Sequence, residues 1–210
     1  MSEKNGDLHG NAPDTADTAL LLIDVINDLE FDGGEELLRH ALPMAARIAA
    51  LKKRAKRAGI PVVYVNDNFG RWQSDLQKLV RHCLDEPVRG KPVVELLLPE
   101  EDDYFVLKPK HSGFFSTTLD LLLAYLQVKR LIITGITANV CVLFTASDAY
   151  MRDFHLLIPS DCVASINEQD HRAAFQQMEK VLKADIRPST ELTLKEEVDG
   201  RRAVSPRSTP

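Results

Sequence analysis

The chain has 210 residues, 44% hydrophobic and 27% charged, with a formal net charge of -5. That is enough for one well-buried domain and too little for two comfortable ones. The acidic balance gives no electrostatic reason to expect nucleic acid or an anionic membrane as a partner. The longest apolar runs, such as ALLLI, fall far short of the roughly 20 residues a membrane helix needs. Three cysteines, Cys83, Cys141 and Cys162, share no CxxC spacing, and their odd number argues against a disulfide framework. The polar opening MSEKNGDLHGNAPDTADT contains no apolar signal-peptide core, so a reducing cytoplasm is the expected location.

In chain order, residues 1–17 read as a polar lead-in and TALLLID (18–24) as a buried strand ending in aspartate. Over 35–59, Leu37, Leu38, Ala41, Leu42, Ala45, Ile48 and Leu51 recur at helical spacing, and Gly59 ends the run. PVVYVN (61–66) is a second strand. A polar, proline-punctuated region follows, with one short helix expected at 75–84. DYFVLKPK (103–110) reads as a third strand and TTLDLLLAYLQ (117–127) as a helix. RLIITG (130–135) is a fourth strand, leading into a helix over 139–153. HLLIPS (155–160) is a fifth strand, 168–184 a helix, and DIRP (185–188) a short sixth strand. Residues 196–210 read as a polar tail, which leaves a domain over 18–195.

Apolar strands alternating with helices predict a mainly parallel sheet covered on both faces, an open three-layer α/β/α sandwich. Ligands of such sheets bind beyond the carboxyl ends of the strands, where strand order reverses. That rule selects Asp24, Asp67, Lys108 and Cys141 for inspection. Taken singly, each has an ordinary reading: a strand-end aspartate forms a turn or caps a helix, a lysine is solvated, and a lone cysteine is core.

Together they can do chemistry. A thiol with an ordinary pKa of about 8.5 is only a few per cent thiolate at neutral pH. Cys141 falls in the first turn of the helix after GITAN, where the helix dipole favours a thiolate. Asp24 could take its proton, and Lys108 could hold Asp24 ionised.

LLIDVINDL (21–29), VLKPKHSGFFSTTLDLLL (106–123) and RLIITGITANVCVLFTASDAYMRDFHLLIPSDCVAS (130–165) resemble the isochorismatase-like cysteine hydrolase superfamily. That superfamily includes nicotinamidases, N-carbamoylsarcosine amidases, ureidoacrylate hydrolases and isochorismatases. The resemblance spans nearly all of 18–188 and implies an open sheet of six strands. It also implies Asp24, Lys108 and Cys141 as the catalytic aspartate, lysine and nucleophile. Lys110, two residues on, shares a strand face with Lys108, so spacing alone does not separate them. The family lysine lies four residues before the small residue of the Ser112-Gly113-Phe114 motif, which selects Lys108. The family's non-proline cis peptide would fall at Ile136-Thr137. The N–H groups of Thr137 and Cys141 would then form an oxyanion hole.

The sequence departs from its relatives in places. Metal-binding nicotinamidases carry an Asp-x-His and further histidines after the second strand, whereas YVNDNFGRWQSD (64–75) has none. No metal and no other cofactor are therefore expected, and His82, His111 and His171 read as surface or packing residues. Ile26 and Leu29 replace a common glutamine and phenylalanine, while Asn27 and Asp28 are kept and read as turn formers. Asp161 resembles a structural family aspartate, and Cys83 and Cys162 read as inert. Phe69, Arg71 and Trp72 are candidates to line the substrate pocket, with core cover or solvated charge as the plainer reading.

The reading is a metal-independent cysteine amidohydrolase acting on a small amide or ureido compound. An isochorismatase-type vinyl ether hydrolase is the alternative, followed by a non-catalytic binding protein on the same fold. The resemblance also implies a homo-oligomer, dimer or tetramer, with the second half of 35–59 and the loop at 68–100 as candidate contacts.

Overall fold

The computed structural model describes residues 15–69 and 75–194. Six parallel pairings build the sheet from β1 (Thr18–Ile23), β2 (Val62–Asp67), β3 (Tyr104–Lys108), β4 (Arg130–Ile136), β5 (His155–Leu157) and β6 (Val163–Ala164), counting the lone Leu157–Asp185 bridge. The strand order is β3-β2-β1-β4-β5, and β6 pairs with the end of β4. Six α-helices lie among the described residues: α1 (Gly34–Arg57), α2 (Leu76–Asp85), α3 (Lys91–Leu96), α4 (Leu119–Tyr125), α5 (Leu143–Tyr150) and α6 (Glu168–Lys180).

Alternation along β1 divides the core. Leu20 and Leu22 face a cluster with α1, α2 and α3, while Ala19, Leu21 and Ile23 face one with α4, α5 and α6. Both faces are thus covered, as continuous apolar strands require, and the fold is a three-layer α/β/α sandwich. On α1 the predicted stripe is buried at Leu37, Ala41, Ala45, Ile48 and Leu51, while Leu42 is exposed. The chain leaves α1 through Gly59 at φ +65°, and Ile60 N–H returns to the Ala55 carbonyl at 2.9 Å.

Several boundaries differ from the sequence expectation. The strand expected at 185–188 is one bridge, Asp185 to Leu157, and the sixth strand is Val163–Ala164 instead. Its two residues pair with Gly135 and Ile136, too short a run to leave an alternating pattern. Helix α3 was not anticipated: its proline sits in the first turn, where no intrahelical N–H is lost. The helix expected at 139–153 begins instead as a π turn, Ala138–Val142, and becomes α-helical only at Leu143. No helix among the described residues is long and apolar enough to cross a membrane. The tails expected at 1–17 and 196–210 lie largely or wholly outside the described residues.

Candidate active site

Four neighbouring strands end at one place. Order reverses between β1 and β4, whose last paired residues are Ile23 and Gly135. Asp24 follows β1, Asp67 ends β2, Lys108 ends β3, and the π turn with Cys141 follows β4. Gly135 makes the close approach possible. Its φ is +116°, and a Cβ there would stand 2.1 Å from the Ile23 carbonyl oxygen. The next peptide, Ile136-Thr137, is cis.

Lys108 is fully buried, with an ammonium that reaches Asp24 Oδ2 at 2.9 Å, Asp67 Oδ2 at 3.5 Å and Cys141 Sγ at 3.5 Å. It also donates to the Lys110 carbonyl at 3.2 Å, while the Lys110 residue itself is exposed. Only Lys108, then, enters the cluster through its side chain. Asp24 is 5% exposed and adopts φ +52°. Its other oxygen, Oδ1, accepts the Asp67 N–H at 2.7 Å, and a hydrogen bond also joins its carboxyl to Cys141. Cys141 is partly open, whereas Cys83 and Cys162 are closed within the core.

The electrostatics follow from burial. Burial raises the Asp24 pKa despite the opposing Lys108 charge and the hydrogen bonds from Cys141, Lys108 and the Asp67 N–H. Burial also works against the Lys108 ammonium, but Asp24, Cys141 and Asp67 outweigh it, and its pKa rises. Cys141 is pushed up to about 12, by burial first and the Asp24 carboxylate second, with Lys108 only partly offsetting them. The helix-dipole expectation of a resting thiolate is therefore overturned. The cysteine precedes α5 within the π turn, and desolvation beside a carboxylate dominates. The resting centre thus sets an ammonium beside a carboxyl and a thiol that burial holds against ionisation.

The turn that carries Cys141 is held by Thr137, whose carbonyl accepts from Val140 and Val142 N–H, both at 3.2 Å. The loop after Lys108 is pinned to α5: Ser112 Oγ donates to Asp148 Oδ2 at 2.5 Å, and Gly113 N–H to Thr145 Oγ1 at 3.0 Å. Asn27 and Asp28 form side-chain turns, accepting from Leu29 and Glu30 N–H. Ile26 is fully buried in the cluster against α1, so the replacement of glutamine there fills core. Asp161 accepts from Ser189 N–H and Oγ. Phe69 is exposed beside β2, its N–H donating to Asp67 Oδ1 at 2.6 Å, while Arg71 and Trp72 lie outside the described residues.

Asp67 is the strand-end aspartate whose part in the centre its sequence position does not reveal, since a turn or cap is the ordinary reading there. Its backbone orients Asp24 and its carboxylate shares Lys108. The available signal was its position opposite Lys108 in the β2–β3 register. Among the described residues, no three His, Cys, Asp or Glu side chains are grouped to hold a metal ion.

Fold and centre define an open-sheet α/β protein with a buried Asp–Lys pair beside an accessible thiol. The Isochorismatase domain model matches residues 18–186. The chain belongs to the isochorismatase family of hydrolases. It is 46% identical over 171 residues to YaaI of Bacillus subtilis (strain 168), an uncharacterized isochorismatase family protein, covering 81% of this chain and 93% of that one. It is 31% identical over 195 residues to the ureidoacrylate amidohydrolase RutB of Methylobacterium radiotolerans, covering 80% and 75% of the two chains. Among solved structures, the N-carbamoylsarcosine amidase of Thermoplasma acidophilum superposes with a TM-score of 0.65 at 24% identity, covering 84% of this chain and 99% of that one.

Proposed function

We propose that this hydrolase cleaves the C–N bond of a small amide or ureido compound through a Cys141 thioester, without a metal. The observation that carries the reading is the contact of one partly open thiol with both a buried carboxylate and a buried ammonium. RutB, named as an amidohydrolase, supports the reaction class.

Cys141 Sγ attacks the substrate carbonyl carbon as its proton passes to Asp24. Burial and the Asp24 carboxylate hold the thiol against ionisation, so proton transfer and attack are coupled. The Thr137 and Cys141 N–H groups stabilise the oxyanion. As the C–N bond breaks, Asp24 returns the proton to the leaving nitrogen. Water then attacks the thioester, giving a proton to Asp24, and Cys141 leaves and is reprotonated. Lys108 keeps Asp24 in place and balances its charge throughout.

Ammonia or amine release should be measured across a panel of small amides and ureido acids, using wild type, Cys141→Ala and Cys83→Ala, each with and without chelator. Turnover lost only in Cys141→Ala and indifferent to chelator is the expected result. Full activity in Cys141→Ala, or its loss on chelation, would refute the metal-free thioester mechanism.

A further inference from the structure

A lysine ammonium has three N–H donors, and that of Lys108 stands among four acceptors. It lies 2.9 Å from Asp24 Oδ2, 3.2 Å from the Lys110 carbonyl, and 3.5 Å from both Asp67 Oδ2 and Cys141 Sγ. The two short contacts take two of the hydrogens. The third is contested, at equal distance, by the Asp67 carboxylate and the cysteine sulfur. While the sulfur keeps its proton, the carboxylate oxygen is the stronger acceptor.

Asp67 is placed to compete. It faces Lys108 in the β2–β3 register, and its Oδ1 accepts the Phe69 N–H at 2.6 Å, which leaves Oδ2 for the ammonium. Its own N–H donates to Asp24 Oδ1 at 2.7 Å. One residue thus holds Asp24 by its main chain and draws on the lysine of Asp24 by its side chain. A turn-forming role accounts for Oδ1 and the Phe69 N–H, and an asparagine would fill it equally well. It does not account for Oδ2. The titratable groups meeting at Lys108 are Asp24 from the end of β1, Asp67 from β2 and Cys141 from the π turn, while Lys110 offers its carbonyl and has an exposed side chain. A second carboxylate on the ammonium leaves Asp24 less neutralised, and so a better proton acceptor, than it would be in a pair of its own. As the proton leaves Sγ, the sulfur becomes the stronger claimant for the contested N–H. The Asp67 side chain is 31% exposed, so water can reach the oxygen that loses it.

We propose that Asp67 is a positioning residue for the Cys141 reaction: its carboxylate holds the third Lys108 N–H at rest and yields it to the sulfur as negative charge develops there. The inference rests on the reading of Cys141 as nucleophile and Asp24 as base, and Asp67 acts through Lys108 rather than on the substrate.

The test compares wild type with Asp67→Asn and Asp67→Glu, with thermal melts to show that both variants are folded. Asparagine keeps the turn and the backbone N–H to Asp24 but removes the charge, whereas glutamate keeps the charge. Iodoacetamide labelling of the Cys141 peptide at pH 8, read by mass spectrometry, needs no substrate. Asp67→Asn should label about three- to tenfold faster, because the sulfur gains an undivided N–H and loses a nearby negative charge. Asp67→Glu should stay within about twofold of wild type. With an amide that is turned over, the acid limb of kcat/KM should move to lower pH in Asp67→Asn, since Asp24 loses a like charge and keeps the lysine to itself. The plateau kcat should fall as the base weakens. Labelling of Asp67→Asn no faster than wild type overturns the proposal. Equal acceleration in both variants also overturns it, because that is loosening of the site rather than loss of charge, and so does an acid limb that stays in place. Turnover that survives Cys141→Ala defeats the underlying reading instead, and the labelling rates still decide whether Asp67 acts on the sulfur through Lys108.

Discussion

At Cys141, two neighbours pull in opposite directions. The Asp24 carboxylate makes the thiol harder to ionise and Lys108 makes it easier, while burial adds to the effect of Asp24. The proposed base therefore suppresses free thiolate while accepting the proton during reaction. Asp24→Asn should accordingly alkylate faster with iodoacetamide at pH 8, by roughly tenfold per pKa unit removed, yet lose about 10² to 10⁴ of its turnover. Lys108→Met should slow alkylation. If Asp24→Asn instead alkylates more slowly, the carboxylate is not the group controlling the thiol. The pH profile follows from the same shifts. Asp24 must be ionised to act as base, and its pKa is raised, so the acid limb of kcat/KM should lie above the ordinary carboxylate range. Lys108 is held protonated above its usual value, so no alkaline fall from lysine should appear below pH 10. The three chemical residues were legible because each ends or follows a strand and sits in a recognisable motif. The tie from the Asp67 N–H to Asp24 was not, because it depends on the β1–β2 register and a left-handed Asp24 backbone.

At the scale of elements, the strands and long helices could be read from apolar runs and 3.6-residue spacing. The short pieces could not. Five residues do not distinguish a π turn from an α turn by pattern, and α3 has only six. Yet the π turn carries the thiol, and its approach path runs through Gly135. Gly135→Ala would need φ +116° from an alanine and would drive its Cβ into the Ile23 carbonyl. A loss of about 2–4 kcal/mol is expected from the combined strain and clash. Chemical denaturation should read it as a lower midpoint, and kcat should fall as β4 shifts away from Asp24. A variant as stable and active as wild type would show that the β1–β4 contact is looser than the geometry indicates.

Across the whole molecule, chemistry and stability occupy opposite ends of β3. Five residues before Lys108, a distance of roughly 16 Å along a strand, Asp103 is buried against Lys52 at 2.6 Å and Lys56 at 2.8 Å. Lys52 also donates to the Tyr64 hydroxyl and the Leu98 carbonyl, both at 3.0 Å. Removing one partner of a buried pair exposes the other's desolvation cost, though here Lys56 remains to share it. Lys52→Met should cost about 2–4 kcal/mol, lowering the Tm while leaving kcat/KM within about twofold, since Lys52 touches none of the residues at the carboxyl edge. A fall in kcat/KM at a temperature where the variant is fully folded would link the two ends. The strand order has its own consequence for a chain being made. β1 lies between β2 and β4, and β4 is the later of the two to leave the ribosome. Until Arg130–Ile136 has been synthesised, one side of Thr18–Ile23 presents a bare row of backbone donors and acceptors. The segment that closes that edge leads directly into the turn bearing the cysteine, so the nascent chain gains its nucleophile only as the gap in the sheet is filled.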